Sequence, residues 1–147
     1  MSVRISGPPP DRALPRFDVA LLAVRADQVL GELGHERSEL SLLLVDDAAM
    51  ADMNDRFRGR SGPTDVLSFS LVEGECAEHR GALLGDVVID VEQAHRQGRE
   101  IGHGLDEEMA RLLIHGVLHL LGYDHELADE TRAMEAQEGR LWNAIAR

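Results

Sequence analysis

Three histidines carry the sharpest chemical signal in the chain. They stand in the string His115-Gly-Val-Leu-His119-Leu-Leu-Gly122-Tyr-Asp-His125. On a helix, positions i and i+4 lie one above the other on the same face. His115 and His119 can therefore offer two imidazoles to one ion. Gly122 can adopt the left-handed conformation that turns the chain, which brings His125 back beside the other two. Three neutral imidazoles with one open position compose a catalytic zinc site, whereas a structural site is closed by a fourth protein ligand. The expectation is one Zn2+ per chain, although nickel or copper would also bind such donors.

The spacing H-x-x-x-H-x-x-G-x-x-H equals the zinc-ligand spacing of the metzincin proteases. Those enzymes carry a glutamate directly after the first histidine as general base; here that position is Gly116. The metal geometry is kept and the usual base for peptide hydrolysis is missing. A lone histidine on an apolar helix is commonly a satisfied core residue, but this triple spacing is a poor match to accident. His35, His79, His95 and His103 lack partners at ligand spacing and read as surface or loop residues. Asp124 is either an acceptor that orients an imidazole or a turn former.

A second segment, Asn54-Asp-Arg56-Phe-Arg58-Gly-Arg60, is the densest basic patch in the chain and runs on to Pro63-Thr64-Asp65-Val66-Leu67-Ser68-Phe69. The planar guanidinium fork donates two parallel hydrogen bonds and suits phosphate. A solvated helix end, where cations meet the C-terminal dipole, explains the same residues equally simply.

Together the two segments resemble the YbeY family of bacterial metallo-endoribonucleases. The likeness rests on Asn54, Phe57-Arg58, Pro63 to Phe69, Leu84-Gly85-Asp86-Val87 and the string from His115 to His125, with Met134-Glu135 in the last helix. It spans about residues 40 to 145 and leaves the N-terminal third almost untouched. What it implies is zinc at His115, His119 and His125, with Arg58 as the functional arginine. It further implies cleavage of single-stranded RNA, maturation of the small-subunit ribosomal RNA 3′ end, and ribosome quality control. The partners would be ribosomal RNA and the ribosomal particle, with no DNA and no membrane. Two other classes stay open: a zinc metallopeptidase, and a non-catalytic ribosome-associated zinc protein. Asp65 and Asp86 have no assigned role, and no general base stands out.

The elements that must position these residues follow from periodicity. Val19, Leu22, Ala23, Ala26, Leu30 and Leu33 keep a helical period that Gly34 can end. Leu40 to Val45 is a short, nearly all-apolar run and reads as a buried strand rather than a helix. Asp46 or Asp47 can cap a helix with Met50, Met53 and Phe57 on one face, ended by Gly59. Val66 to Leu71 and Leu83 to Val91 read as strands, separated by a polar loop from Glu73 to Gly81. Helices follow over about Glu92 to Arg99, Met109 to Leu121 and Leu127 to Ile145, with Asp106, Glu107 and Glu108 favouring the start of the second. The last carries Leu127, Met134, Leu141 and Ile145 on its inner side. Val3 to Ile5 can form an edge strand before Pro8, Pro9, Pro10 and Pro15 forbid a helix.

The expected fold is α+β: one small mixed sheet covered by helices, with the metal-binding helix running into a glycine turn. A single domain fills residues 1–147, loosely ordered over 1–16 apart from that first strand. The length of 147 residues suffices for a real core without staples. Cys76 is the one cysteine, which excludes an internal disulfide and fits a cytoplasmic location. Fifteen arginines and no lysine stand against 27 acidic residues, for a net charge of −12. Such a charge opposes non-specific adhesion to nucleic acid, so any RNA contact must rest on a local basic site.

Overall fold

In the computed structural model, residues 3–7, 14–58, 64–70, 83–123 and 127–146 are described. Four strands form one mixed sheet in the order β1-β2-β4-β3. They are β1 (Val3–Ser6), β2 (Glu39–Val45), β3 (Val66–Ser70) and β4 (Leu83–Asp90). β1 and β2 pair in parallel, as do β2 and β4, while β3 runs antiparallel to β4 along the far edge. Parallel neighbours need crossovers. Helix α1 (Val19–Glu32) supplies the first, and α2 (Asp47–Arg58) followed by β3 lies between β2 and β4. Helices α3 (Val91–Ile101), α4 (Leu105–Leu120) and α5 (Ala128–Ile145) complete the domain.

Side-chain alternation along the strands divides the core in two. Leu40, Leu42 and Leu44 of β2 and Val87 and Ile89 of β4 join the large cluster with α1, α4 and α5. Val45, Leu67 and Val88 point the other way and pack with Met50 of α2. Central strands are buried on both faces, which is why β2 from Leu40 to Val45 is apolar apart from Ser41. The central helix is α4, ten of whose sixteen residues are buried. Its N-terminal turn carries Asp106, Glu107 and Glu108, where carboxylates favour the helix dipole. Trp142 of α5 joins the helical layer: the Arg111 guanidinium lies 4.4 Å from its ring centre and Arg25 of α1 lies 5.6 Å away.

One expectation about faces needs correction and another needs a qualification of depth. Phe57 shares the helical stripe of Met50 and Met53, yet it is 62% exposed, touching Phe69 edge-on at 5.7 Å. It sits in the last turn of α2, beyond the buried Met50, and meets the edge strand β3 rather than the middle of the sheet. Leu127 is 64% exposed because it precedes the first turn of α5, and only Met134, Leu141 and Ile145 are buried there. The remaining elements match within a few residues. The apolar period of α4 begins at Met109, but the helix itself begins at Leu105, directly before the acidic triplet Asp106-Glu107-Glu108 that favours a helix start in the sequence. The expected stop at Gly59, the loop from Glu73 to Gly81 with Cys76 and His79, and Pro8 to Pro10 lie outside the described residues.

Candidate metal centre

Helix α4 brings His115 and His119 together as the four-residue spacing requires. Their rings meet edge to face, with centroids 4.6 Å apart and planes at 72°. The two Nε2 atoms are 3.1 Å apart. Two nitrogens bound to one tetrahedral zinc at 2.0–2.1 Å would be separated by about 3.3 Å. The pair therefore already has close to the bite that an ion needs, on the chemistry of neutral imidazole donors. On its other side, His115 places Nδ1 3.4 Å from Oε2 of Glu138 on α5.

What holds α4 in place is its contact with the sheet. Gly116 lies against β4, and a Cβ there would fall 2.6 Å from Val87 Cγ1 and 3.3 Å from Val66 Cγ2. Only hydrogen fits such an approach. Ser68 and Ser70 of the edge strand donate their hydroxyls to the carbonyls of Gly116 (2.9 Å) and Leu120 (2.8 Å). The direction of residue 116 also decides a chemical question. A side chain there would point into the sheet, away from the face that carries the two imidazoles one position before and three after.

The helix ends as the glycine turn requires. Gly122 has φ +95°, its N–H donates to His119 O at 3.1 Å, and the Tyr123 N–H donates to Leu118 O at 3.0 Å. These are the two bonds of a Schellman cap, which satisfies carbonyls that the helix end would otherwise leave open. Tyr123 packs against the main core and so fixes the direction in which the chain leaves. His125 and Asp124 follow immediately and lie outside the described residues. Arg58 is the last residue of α2, and its side chain is likewise outside the description. Of the expected site residues, the structure thus unites His115 and His119. It adds Glu138, which the sequence reading did not single out. The available signal was its place between Met134 and Leu141 on the inner face of α5.

His103 lies between two carboxylates, 3.2 Å from Glu107 and 3.4 Å from Glu108, at the α4 N-terminus. Asp65 acts through its backbone and side chain: its carbonyl accepts from the Asp90 N–H at 3.0 Å and Oδ2 from Gln97 at 3.4 Å.

A cluster of acids forms at the carboxyl ends of β2 and β4. Asp47, Asp90 and Glu92 each offer an oxygen within 4.8 Å of the others. Two of these oxygens serve helix starts. Asp90 Oδ1 accepts from the N–H groups of Glu92 and Gln93, capping α3, and Glu92 Oε1 accepts from the Asp47 N–H at the start of α2. Arg96 clamps both oxygens of Asp47 at 2.8 and 2.9 Å, which holds the Asp47 carboxyl below its ordinary range. Burial first, and then a hydrogen bond shared with Asp47, push the Asp90 carboxyl up to about 7. Asp90 Oδ2 is buried and meets no donor among the described residues. A proton on Asp90 makes that oxygen a donor to Asp47 and settles the account.

The family model described as Endoribonuclease YbeY matches residues 18–146. A protein named Endoribonuclease YbeY from Pelotomaculum thermopropionicum is 47% identical over 128 residues, covering 82% of this chain and 84% of that one. One of the same name from Anaeromyxobacter dehalogenans is 44% identical over 146 residues, covering 98% and 72%. A solution structure from Thermotoga maritima superposes with a TM-score of 0.60 at 24% identity over 96% of this chain and 89% of that one. That likeness concerns the fold alone.

Proposed function

The chain belongs to the YbeY family, and from that premise we propose that it is a zinc-dependent endoribonuclease for single-stranded RNA. Its substrate in this reading is ribosomal RNA, at the 3′ end of the small-subunit molecule, with a further part in ribosome quality control. The observation that carries it is the convergence of His115 and His119 Nε2 at 3.1 Å on the helix that the family motif occupies. His125 is the third ligand of the proposal, delivered by the turn at Gly122. Bound zinc supplies a Lewis acid for a phosphoryl oxygen and lowers the pKa of a coordinated water toward ~7. Arg58 neutralises charge that grows on the scissile phosphodiester.

Peptide hydrolysis finds less support. Residue 116, where the proteases of the same ligand spacing keep their base, is a glycine held against Val87. The net charge of −12 leaves little for RNA to grip beyond the arginines near Arg58. Tight placement then depends on the ribosomal particle, in the cytoplasm. Among the described residues no helix is long and apolar enough to cross a membrane.

The test is incubation of the purified protein with a short single-stranded RNA and with casein, each with and without a chelator. RNA cutting that the chelator stops is the expected result. Cutting of casein would establish the peptidase instead, and inertness toward both would leave a non-catalytic zinc protein.

A further inference from the structure

We infer that Glu138 is a positioning residue for the metal centre: its carboxylate keeps the His115 proton on Nδ1 and so reserves Nε2 for the ion. The inference rests on the zinc reading above. A neutral imidazole has one N–H and one bare nitrogen, and the hydrogen bond made by one nitrogen fixes the role of the other. Ionised carboxylate accepts only, so the 3.4 Å contact from Oε2 to Nδ1 has a defined direction. His115 is the donor there, which leaves its Nε2 as a lone pair aimed at His119 Nε2.

The backbone of α5 is built to hold this contact. Met134 and Leu141, 1% and 0% exposed, bury the turns on either side of Glu138. Glu138 itself is on the rim, 35% exposed at its side chain, and fills no part of the core. Among the described residues its polar partner is His115. A carboxylate behind a liganding imidazole fixes the ring and raises its basicity, and losing one typically costs 10–100-fold in metal affinity. The competing account is an ion pair that merely ties α5 to α4. That account demands a charged His115 and says nothing about which nitrogen is bare.

The experiment measures zinc affinity of the full chain by competition with a chromophoric chelator, for wild type, Glu138→Ala, Glu138→Gln and the exposed Glu135→Ala. Nitrogen chemical shifts of His115 in the metal-free protein report its tautomer. Glu138→Ala should bind zinc roughly 10–100-fold more weakly and lose the Nδ1–H preference, with its melting temperature near wild type. Glu138→Gln keeps an accepting oxygen without the charge, so it should fall between wild type and Glu138→Ala and retain the tautomer. Glu135→Ala should match wild type. Unchanged affinity in Glu138→Ala overturns the positioning role, as does weakened affinity with the tautomer intact. A wild-type chain that binds no zinc overturns the metal reading and this inference with it.

Discussion

Two places among the described residues gather side-chain atoms of the kind that bind metals, and they differ in what those atoms already do. At the carboxyl ends of β2 and β4, Asp47 is clamped by Arg96, Glu92 meets the start of α2, and Asp90 caps α3. The buried Asp90 Oδ2 is left over, and a proton suffices for it. On α4 the arrangement is reversed. His115 Nδ1 faces Glu138, while the Nε2 atoms of His115 and His119 meet at 3.1 Å. Closeness of ligating atoms is common to both clusters. Only the second brings two imidazole nitrogens within 3.1 Å of each other, and only there does the family motif lie.

The largest test of that contrast is His119→Ala. It should abolish zinc binding and RNA cleavage together, as elemental analysis and a cleavage assay would read. Full zinc content in this variant would move the metal away from α4. Asp90→Asn, by contrast, should leave one zinc per chain.

Next in size is Gly116→Glu, which places in α4 the residue that a peptidase would need. Its carboxylate would be driven against Val87 and Val66, and an uncompensated buried charge costs about 3–5 kcal/mol. The expected outcome is a large fall in melting temperature with no gain of casein cleavage. A stable variant that cuts casein would show that position 116 reaches the metal face after all.

Arg58→Ala tests whether the imidazole site needs the basic segment at all. A preorganised transition-state donor is worth about 2.7–4 kcal/mol of barrier, and a helix-dipole contact only about 0.3–1 kcal/mol of stability. Zinc content should be kept and RNA cleavage should fall roughly a hundred- to a thousand-fold. Arg58→Lys should restore little, since a point charge does not reproduce the fork. Turnover near wild type in Arg58→Ala would leave only the dipole role.

The smallest effect belongs to the acids. Asp90 holds its proton up to about pH 7 when folded and releases it near 3.9 when unfolded. The folded chain therefore binds more protons between those values, and this group's stabilisation declines as pH rises through the window. The slope is at most about 1.4 kcal/mol per pH unit. Asp47, shifted down by Arg96, acts oppositely at lower pH. Asp90→Asn keeps the cap, because asparagine accepts as aspartate does, and its amide can donate to Asp47. Melting temperatures at pH 5 and pH 8 should differ less in the variant than in wild type. Equal differences would mean that Asp90 is ionised throughout.

Much of this was legible in the residues because its physics is local. The i,i+4 imidazoles, the turn at Gly122 and the apolar run of β2 each depend on neighbours a few positions away. Leu127 was misread, and the exposure of Phe57 was not foreseen, because periodicity reports a face and not where the partner surface ends. Glu138 meets His115 across 23 positions, a contact that follows from how α4 and α5 pack. Gly116 was legible as a missing base, but the reason for it, the closeness of Val87, belongs to the packed sheet.

Trp142, set between the guanidiniums of Arg25 and Arg111, is the chain's only tryptophan and lies one helical turn beyond Glu138. Unfolding separates the indole from both cations at once, since they come from α1 and α4. The protein thus carries its own optical reporter at the joint of three helices. Its emission can follow the docking of α5, and a chelator titration read at that wavelength would test, without any attached dye, whether an ion is held one turn away.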